Sequence, residues 1–145
     1  MLKAGVIGLG MGQNHLYSYS KNPEVKIWAI ADLEEGRLRS FSQKYSVPHS
    51  FKDYRELLKL KELEVVSIAL PNFLHCPVTI ETLEAGKDVL VEKPMALNSK
   101  EAEKMVKVAR EKKRVLMVGM NYRYFPEEDM LPLLPILLMT WPSTP

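Results

Sequence analysis

One cysteine, Cys76, is all that 145 residues contain, so no disulfide framework staples the chain and no thiolate cluster can hold zinc. An excess of one charge is missing as well: 20 basic residues against 18 acidic ones give a net +2. That balance excludes the strongly basic surface that nucleic acid or an anionic membrane would select. No stretch approaches the ~20 apolar residues of a membrane span. The start, Met1 to Gly8, carries one lysine and a short apolar run broken by glycine, without the length or cleavage site of a signal peptide. The expectation is a soluble cytoplasmic protein with neither a nucleic-acid nor a membrane partner, and a reduced Cys76 agrees with it.

What is present is an ordinary folding composition, 46% hydrophobic and 26% charged, in a length that suits one domain. Short apolar runs alternate with longer amphipathic ones. Ala4–Ile7, Val25–Ala31, His49–Phe51, Val65–Leu70, Val89–Val91 and Val115–Gly119 read as strands. Gln13–Lys21, Glu34–Tyr45, Asp53–Leu60, Pro77–Ala85 and Ser99–Lys113 read as helices between them. Pro77 falls at a helix start and Gly86 just past its end, the usual asymmetry. Ala102, Met105, Val106 and Ala109 form one apolar stripe, and Asn98 with Glu101 makes a capping-box-like start. Buried strands alternating with helices predict an α/β fold, a doubly wound parallel sheet in three layers. The pattern stops after Phe125. Five of the ten prolines follow, around the apolar run Leu131–Met139, which defeats a regular helix and should not lie in water. Residues 1–125 are therefore read as one domain and 126–145 as a Pro/Leu-rich tail.

Chemistry-bearing residues gather at strand ends. Gly8-Leu9-Gly10-Met11-Gly12 follows the first strand, where glycines let backbone N–H groups and a helix N-terminus approach a pyrophosphate; a purely structural turn is the alternative. Asp32 ends the second strand. A carboxylate there either hydrogen-bonds the adenosine ribose or caps the next helix, for which Glu35 is correctly spaced. Leu33 beside it, with no adjacent cation, favours NAD over NADP, while Arg37 is the nearest basic residue. Pro71-Asn72 and His75, Glu92-Lys93-Pro94, and Asn121 to Arg123 follow the fourth, fifth and sixth strands. In an open parallel sheet these points share the carboxyl edge, where ligands bind.

The segments Pro71-Asn72-Phe73-Leu74-His75, Ala85 to Pro94 and Asn121 to Pro126 resemble the glucose-fructose oxidoreductase/inositol dehydrogenase (Gfo/Idh/MocA) family over about Lys3 to Pro126. The Glu-Lys-Pro element after an Ala-Gly-Lys helix end is the specific part. The resemblance implies an N-terminal Rossmann domain of an NAD(P)-dependent dehydrogenase or reductase acting on sugars, cyclitols or related hydroxy compounds. It further implies that Gly8, Gly10, Met11 and Gly12 hold the pyrophosphate, and Asp32 the adenosine ribose. Pro71, Asn72 and His75 line the cofactor groove, and Glu92 sits near the nicotinamide. Lys93 is the candidate catalytic residue, bridging the nicotinamide ribose and a substrate hydroxyl, where an ammonium stabilises developing alkoxide charge. Pro94 shapes that turn, through a cis Lys93–Pro94 bond. Asn121 and Arg123 close the site, or Arg123 serves as an ion pair at the domain boundary.

The departures from the family pattern carry expectations too. The glycine loop is one residue tighter before His15 than Gly-x-Gly-x-x-Gly-x-x-His. The family's substrate domain, with its acid–base histidine and nearby aspartate, has no counterpart, so the chain reads as a truncated or frame-shifted product. On that reading it binds the dinucleotide, meets a small-molecule substrate only if a second domain is supplied, and is near inactive alone. The other reading is a non-enzymatic remnant or interaction module docking through Leu131–Met139. Self-association into a homo-oligomer stays open, and no metal is expected.

Overall fold

A computed structural model describes residues 1–120. Asn121, Arg123 and the tail 126–145 lie outside the described residues. The apolar runs form six strands, β1 (Leu2–Ile7), β2 (Val25–Ala31), β3 (His49–Phe51), β4 (Val65–Ile68), β5 (Asp88–Val91) and β6 (Leu116–Val118). Between them stand α1 (Leu9–Lys21), α2 (Glu35–Tyr45), α3 (Tyr54–Leu58), α4 (Asn72–Glu84) and α5 (Ser99–Lys112). Every strand pair is parallel, and the order across the sheet is β3-β2-β1-β4-β5-β6. This is the doubly wound α/β sheet that the alternation predicts, and its strand order reverses between β1 and β4.

Parallel strands need both faces covered, which explains runs such as Val65–Ile68 with no polar alternation apart from Ser67. On one face Val6, Ile27 and Ile30 pack with Leu9, Leu16 and Leu38 of α1 and α2. On the other, Ile7, Val66, Ile68, Val89 and Val91 pack with Leu57, Val78, Leu83, Met105 and Ala109 of α3, α4 and α5. Strand alternation sends Leu90 and Met117 to the α1 side, where Met117 is left 44% exposed. The Asn98 cap is realised: Asn98 Oδ1 accepts from the Glu101 N–H at 3.0 Å, and Glu101 Oε2 accepts from the Leu97 N–H.

Two helix starts differ from the sequence reading. α1 begins at Leu9, not Gln13, so Gly10, Met11 and Gly12 form its first turn and are not a loop before it. α4 begins at Asn72 with Pro71 as its cap residue, so Pro77 lies inside the helix. Without an N–H, Pro77 leaves the Phe73 carbonyl lacking its i+4 donor. The helix continues because Cys76, Val78, Thr79, Thr82 and Leu83 are buried.

Gly12 has its place in this packing. It is buried on the underside of α1, and a Cβ built there would lie 2.7 Å from Val6 Cγ1 of β1. Alanine would raise helix propensity, but the clash with a buried strand side chain outweighs that gain. Gly12→Ala is expected to lower the free energy of unfolding by about 1–2 kcal/mol, measured by urea denaturation; an unchanged midpoint would show that α1 can lift from β1 freely.

Candidate functional site

Three strand ends and one helix start build the site. Gly8 leaves β1 with φ +85°, and a Cβ on it would lie 2.5 Å from the Ala69 carbonyl oxygen just past β4. Only glycine accepts both the left-handed backbone and the close approach. The turn is fixed by Gly8 N–H donating to Ala31 O at 2.9 Å and Ala69 N–H donating to Ile7 O at 2.9 Å.

The first turn of α1 uses some of its N–H groups internally and leaves others. Gly12 N–H donates to Gly8 O at 3.1 Å, and Leu9 N–H donates to Asp32 Oδ2 at 2.7 Å. Gly10 and Met11 carry the remaining donors of that turn, on exposed residues at the positive end of the helix dipole. Gly12 itself faces the sheet. Its Cα is pressed against β1, and its N–H is engaged by Gly8 O, so Gly10 and Met11 are the residues of this turn that face outward.

Asp32 holds this corner together. Its side chain is only 7% exposed. Oδ2 takes the Leu9 N–H of α1, and Oδ1 takes the Glu34 N–H at 2.8 Å. The cap residue of α2 is Glu34 and not Asp32, so the capping alternative fails for α2, while the same carboxylate caps α1 from across the sheet. Glu35, the other half of the supposed capping box, pairs instead with Lys52 and Arg39, which hold its carboxyl below the usual range. Arg37 lies beside Asp32, Nη1 to Oδ2 being 3.7 Å, and Nε donates to Glu34 Oε2 at 2.6 Å. The bond to Glu34, then the charge of Asp32, hold the guanidinium firmly protonated. Asp32, Glu34 and Arg37, with Gly8, Gly10, Met11, Leu70 and Pro71, line a cleft of about 600 Å³.

A second cleft of about 310 Å³ adjoins it, sharing Met11. Met11, His15 and Ser18 are spaced i, i+4 and i+7 on α1 and face Leu90, Glu92, Lys93, Met117 and Gly119 at the ends of β5 and β6. Glu92 is half-buried. Its Oε1 is 3.0 Å from His15 Nε2, and its Oε2 accepts the Lys93 N–H at 3.1 Å. Lys93 is exposed, and among the described residues its ammonium forms no ion pair within 4 Å. His15, noted in the sequence only as the histidine that follows the glycine loop, is the site residue given no role there, and its place in that pattern was the available signal.

His75 does not line the groove as the resemblance implies. It is 1% exposed, with Nδ1 2.7 Å from the Pro94 carbonyl oxygen and Nε2 2.8 Å from that of Leu70. It links the turn after β4 to the Glu-Lys-Pro turn after β5, whose Lys93–Pro94 peptide is cis. Pro71 lines the first cleft and Asn72 opens α4 on the exposed edge. The structure thus brings Gly8, Gly10, Met11, Asp32, Pro71, Glu92 and Lys93 to one edge, with His75 and Gly12 behind them.

Comparison with known proteins agrees with this fold. The model of an oxidoreductase family with an NAD-binding Rossmann fold matches residues 2–120. Inositol 2-dehydrogenase of Salmonella typhimurium is 32% identical over 127 residues, covering 85% of this chain and 38% of that protein. The structure of levoglucosan dehydrogenase in complex with NADH superposes with a TM-score of 0.77 at 31% identity, over 84% of this chain and 35% of that one. A 3-ketoreductase from Actinomadura kijaniata, in complex with NADP and TDP-benzene, gives 0.82 at 29% identity over 90% and 42%. The chain spans well under half the length of these relatives.

Asp32→Ala removes the acceptor of Leu9 N–H. Without nucleotide it should lower the free energy of unfolding by about 1 kcal/mol, the usual loss for a helix N-terminal cap. Urea titration checks this, and no loss would show that water replaces the carboxylate without cost.

Proposed function

Because the chain belongs to the oxidoreductase family with an NAD-binding Rossmann fold, we propose that its carboxyl-edge groove carries a nicotinamide dinucleotide for an enzyme that oxidises or reduces a sugar, a cyclitol or a related hydroxy compound. The observation that carries this reading is the first turn of α1. Gly10 and Met11 leave two N–H donors at a helix N-terminus, beside a carboxylate at the end of the neighbouring strand. That combination suits a pyrophosphate followed by an adenosine ribose.

In this reading Gly8 sets the close approach, and Gly10 and Met11 bind the pyrophosphate. Asp32 accepts from the ribose hydroxyls through lone pairs that its two backbone bonds leave free. Pro71 and Asn72 border the groove. Glu92, oriented by His15, lies toward the nicotinamide end, and Lys93 presents its ammonium to the ribose and to a substrate hydroxyl. The bound dinucleotide supplies the hydride acceptor or donor. Lys93 contributes charge: a positioned ammonium favours an alkoxide over the neutral alcohol. Asn121 and Arg123, outside the described residues, take from the family resemblance alone the part of closing the site. Relatives carry NADH in one structure and NADP in another. NAD is the preferred cofactor here, because the adenosine cleft sets two carboxylates, Asp32 and Glu34, against one guanidinium. Substrate positioning, and hence turnover, needs the part of the relatives that this chain does not span.

Titration of the purified chain with NADH, followed by protein and nicotinamide fluorescence, should give saturable binding, and its absence would sink this reading. Asp32→Ala should weaken NADH about tenfold, as the loss of a charged hydrogen-bonding partner does. Lys93→Ala should change the affinity by no more than about twofold, since a solvated ammonium adds little to cofactor binding. A large loss in that variant would move Lys93 from the substrate to the dinucleotide.

A further inference from the structure

We propose that Glu34 is a specificity-determining residue for the dinucleotide, because it holds Arg37 neutralised at the point where a 2′-phosphate would lie. The proposal rests on the reading of this cleft as the adenosine site. Arg37 is the only cation among the described residues lining the cleft, and a Cβ built on Gly10 would lie 3.1 Å from its Nη1. The guanidinium thus overhangs the glycine turn and the Asp32 carboxylate. Left to itself, a guanidinium there would receive a phosphate on the adenosine ribose.

Glu34 prevents that. Its Oε2 accepts the Arg37 Nε–H at 2.6 Å across one turn of α2. Room for this fold-back comes from residue 36: a Cβ on Gly36 would lie 2.5 Å from Glu34 Oε1. The Glu34 side chain caps no backbone N–H of α2, so its carboxylate serves the Arg37 side chain and not the helix end. The other nearby cations, Arg39 and Lys52, are drawn to Glu35 and do not line the cleft. A 2′-phosphate entering here meets one guanidinium already paired and two carboxylates that repel it, whereas an uncharged 2′-hydroxyl can donate to those carboxylates.

Glu34→Gln keeps the size and one carbonyl acceptor while removing the charge. The two residues are exposed to solvent, so the expected effect is moderate and falls with salt. Dissociation constants for NADPH and NADH are measured by fluorescence for the unaltered chain, E34Q, R37A and the double variant at low salt. The unaltered chain should bind NADH more tightly than NADPH, and the reverse order overturns the proposal. E34Q should narrow the ratio about fivefold, through tighter NADPH with NADH little changed. R37A in the E34Q background should abolish that gain. An unchanged ratio in E34Q, or a gain that survives removal of Arg37, overturns the proposal while leaving the dinucleotide site standing. Failure of the unaltered chain to bind NADH overturns the reading of the cleft itself, and the proposal with it.

Discussion

A tetrahedral carbon does not fit between Gly8 and the carbonyl of Ala69, and most of the site depends on that exclusion. Because residue 8 has no Cβ, the end of β1 can turn with a positive φ and α1 can start at once. Gly12 then lets the helix lie directly on Val6. The outcome is a helix N-terminus placed at the crevice between β1 and β4, where the sheet order reverses. Two backbone donors stay free there because the other early ones are engaged by Asp32 and Gly8.

The corner is tied across the sheet by side chains, two of which bond backbone groups. Asp32 joins the end of β2 to the start of α1, and His75 joins the turns after β4 and β5. Glu92 adds a third tie, to His15 of α1. Each tie links segments remote in sequence, so the groove is a property of the assembled sheet. Buried polar groups of this kind are costly unless paired, and pairing them restricts the turn geometry to one arrangement.

Much of this was legible beforehand. Alternation of apolar runs with amphipathic ones named all six strands and placed them in a parallel sheet, because backbone hydrogen bonding leaves few other ways to bury runs such as Val65–Ile68. The glycine turn, Asp32 and the Glu92-Lys93-Pro94 turn were recognisable as strand-end chemistry. Helix starts were less legible. Gly10 and Gly12 are poor helix formers and Pro77 is a breaker, yet packing overrode these local preferences at both α1 and α4. His75 read as a groove residue because a histidine after a strand end carries no sign of which way it points.

The amino-acid sequence by itself determined the order of elements and the layering, since periodicity survives in one dimension, and its motif segments, Glu92-Lys93-Pro94 above all, carried the resemblance to the family. Tertiary structure alone decided which residues face the groove. Whether Gly12 packs on Val6, whether Asp32 caps α2 or α1, and whether Arg37 is free or bound to Glu34 are contacts between segments or across a helical turn. They depend on distances of a few ångströms set by helix–sheet packing, and no local pattern in the chain records them.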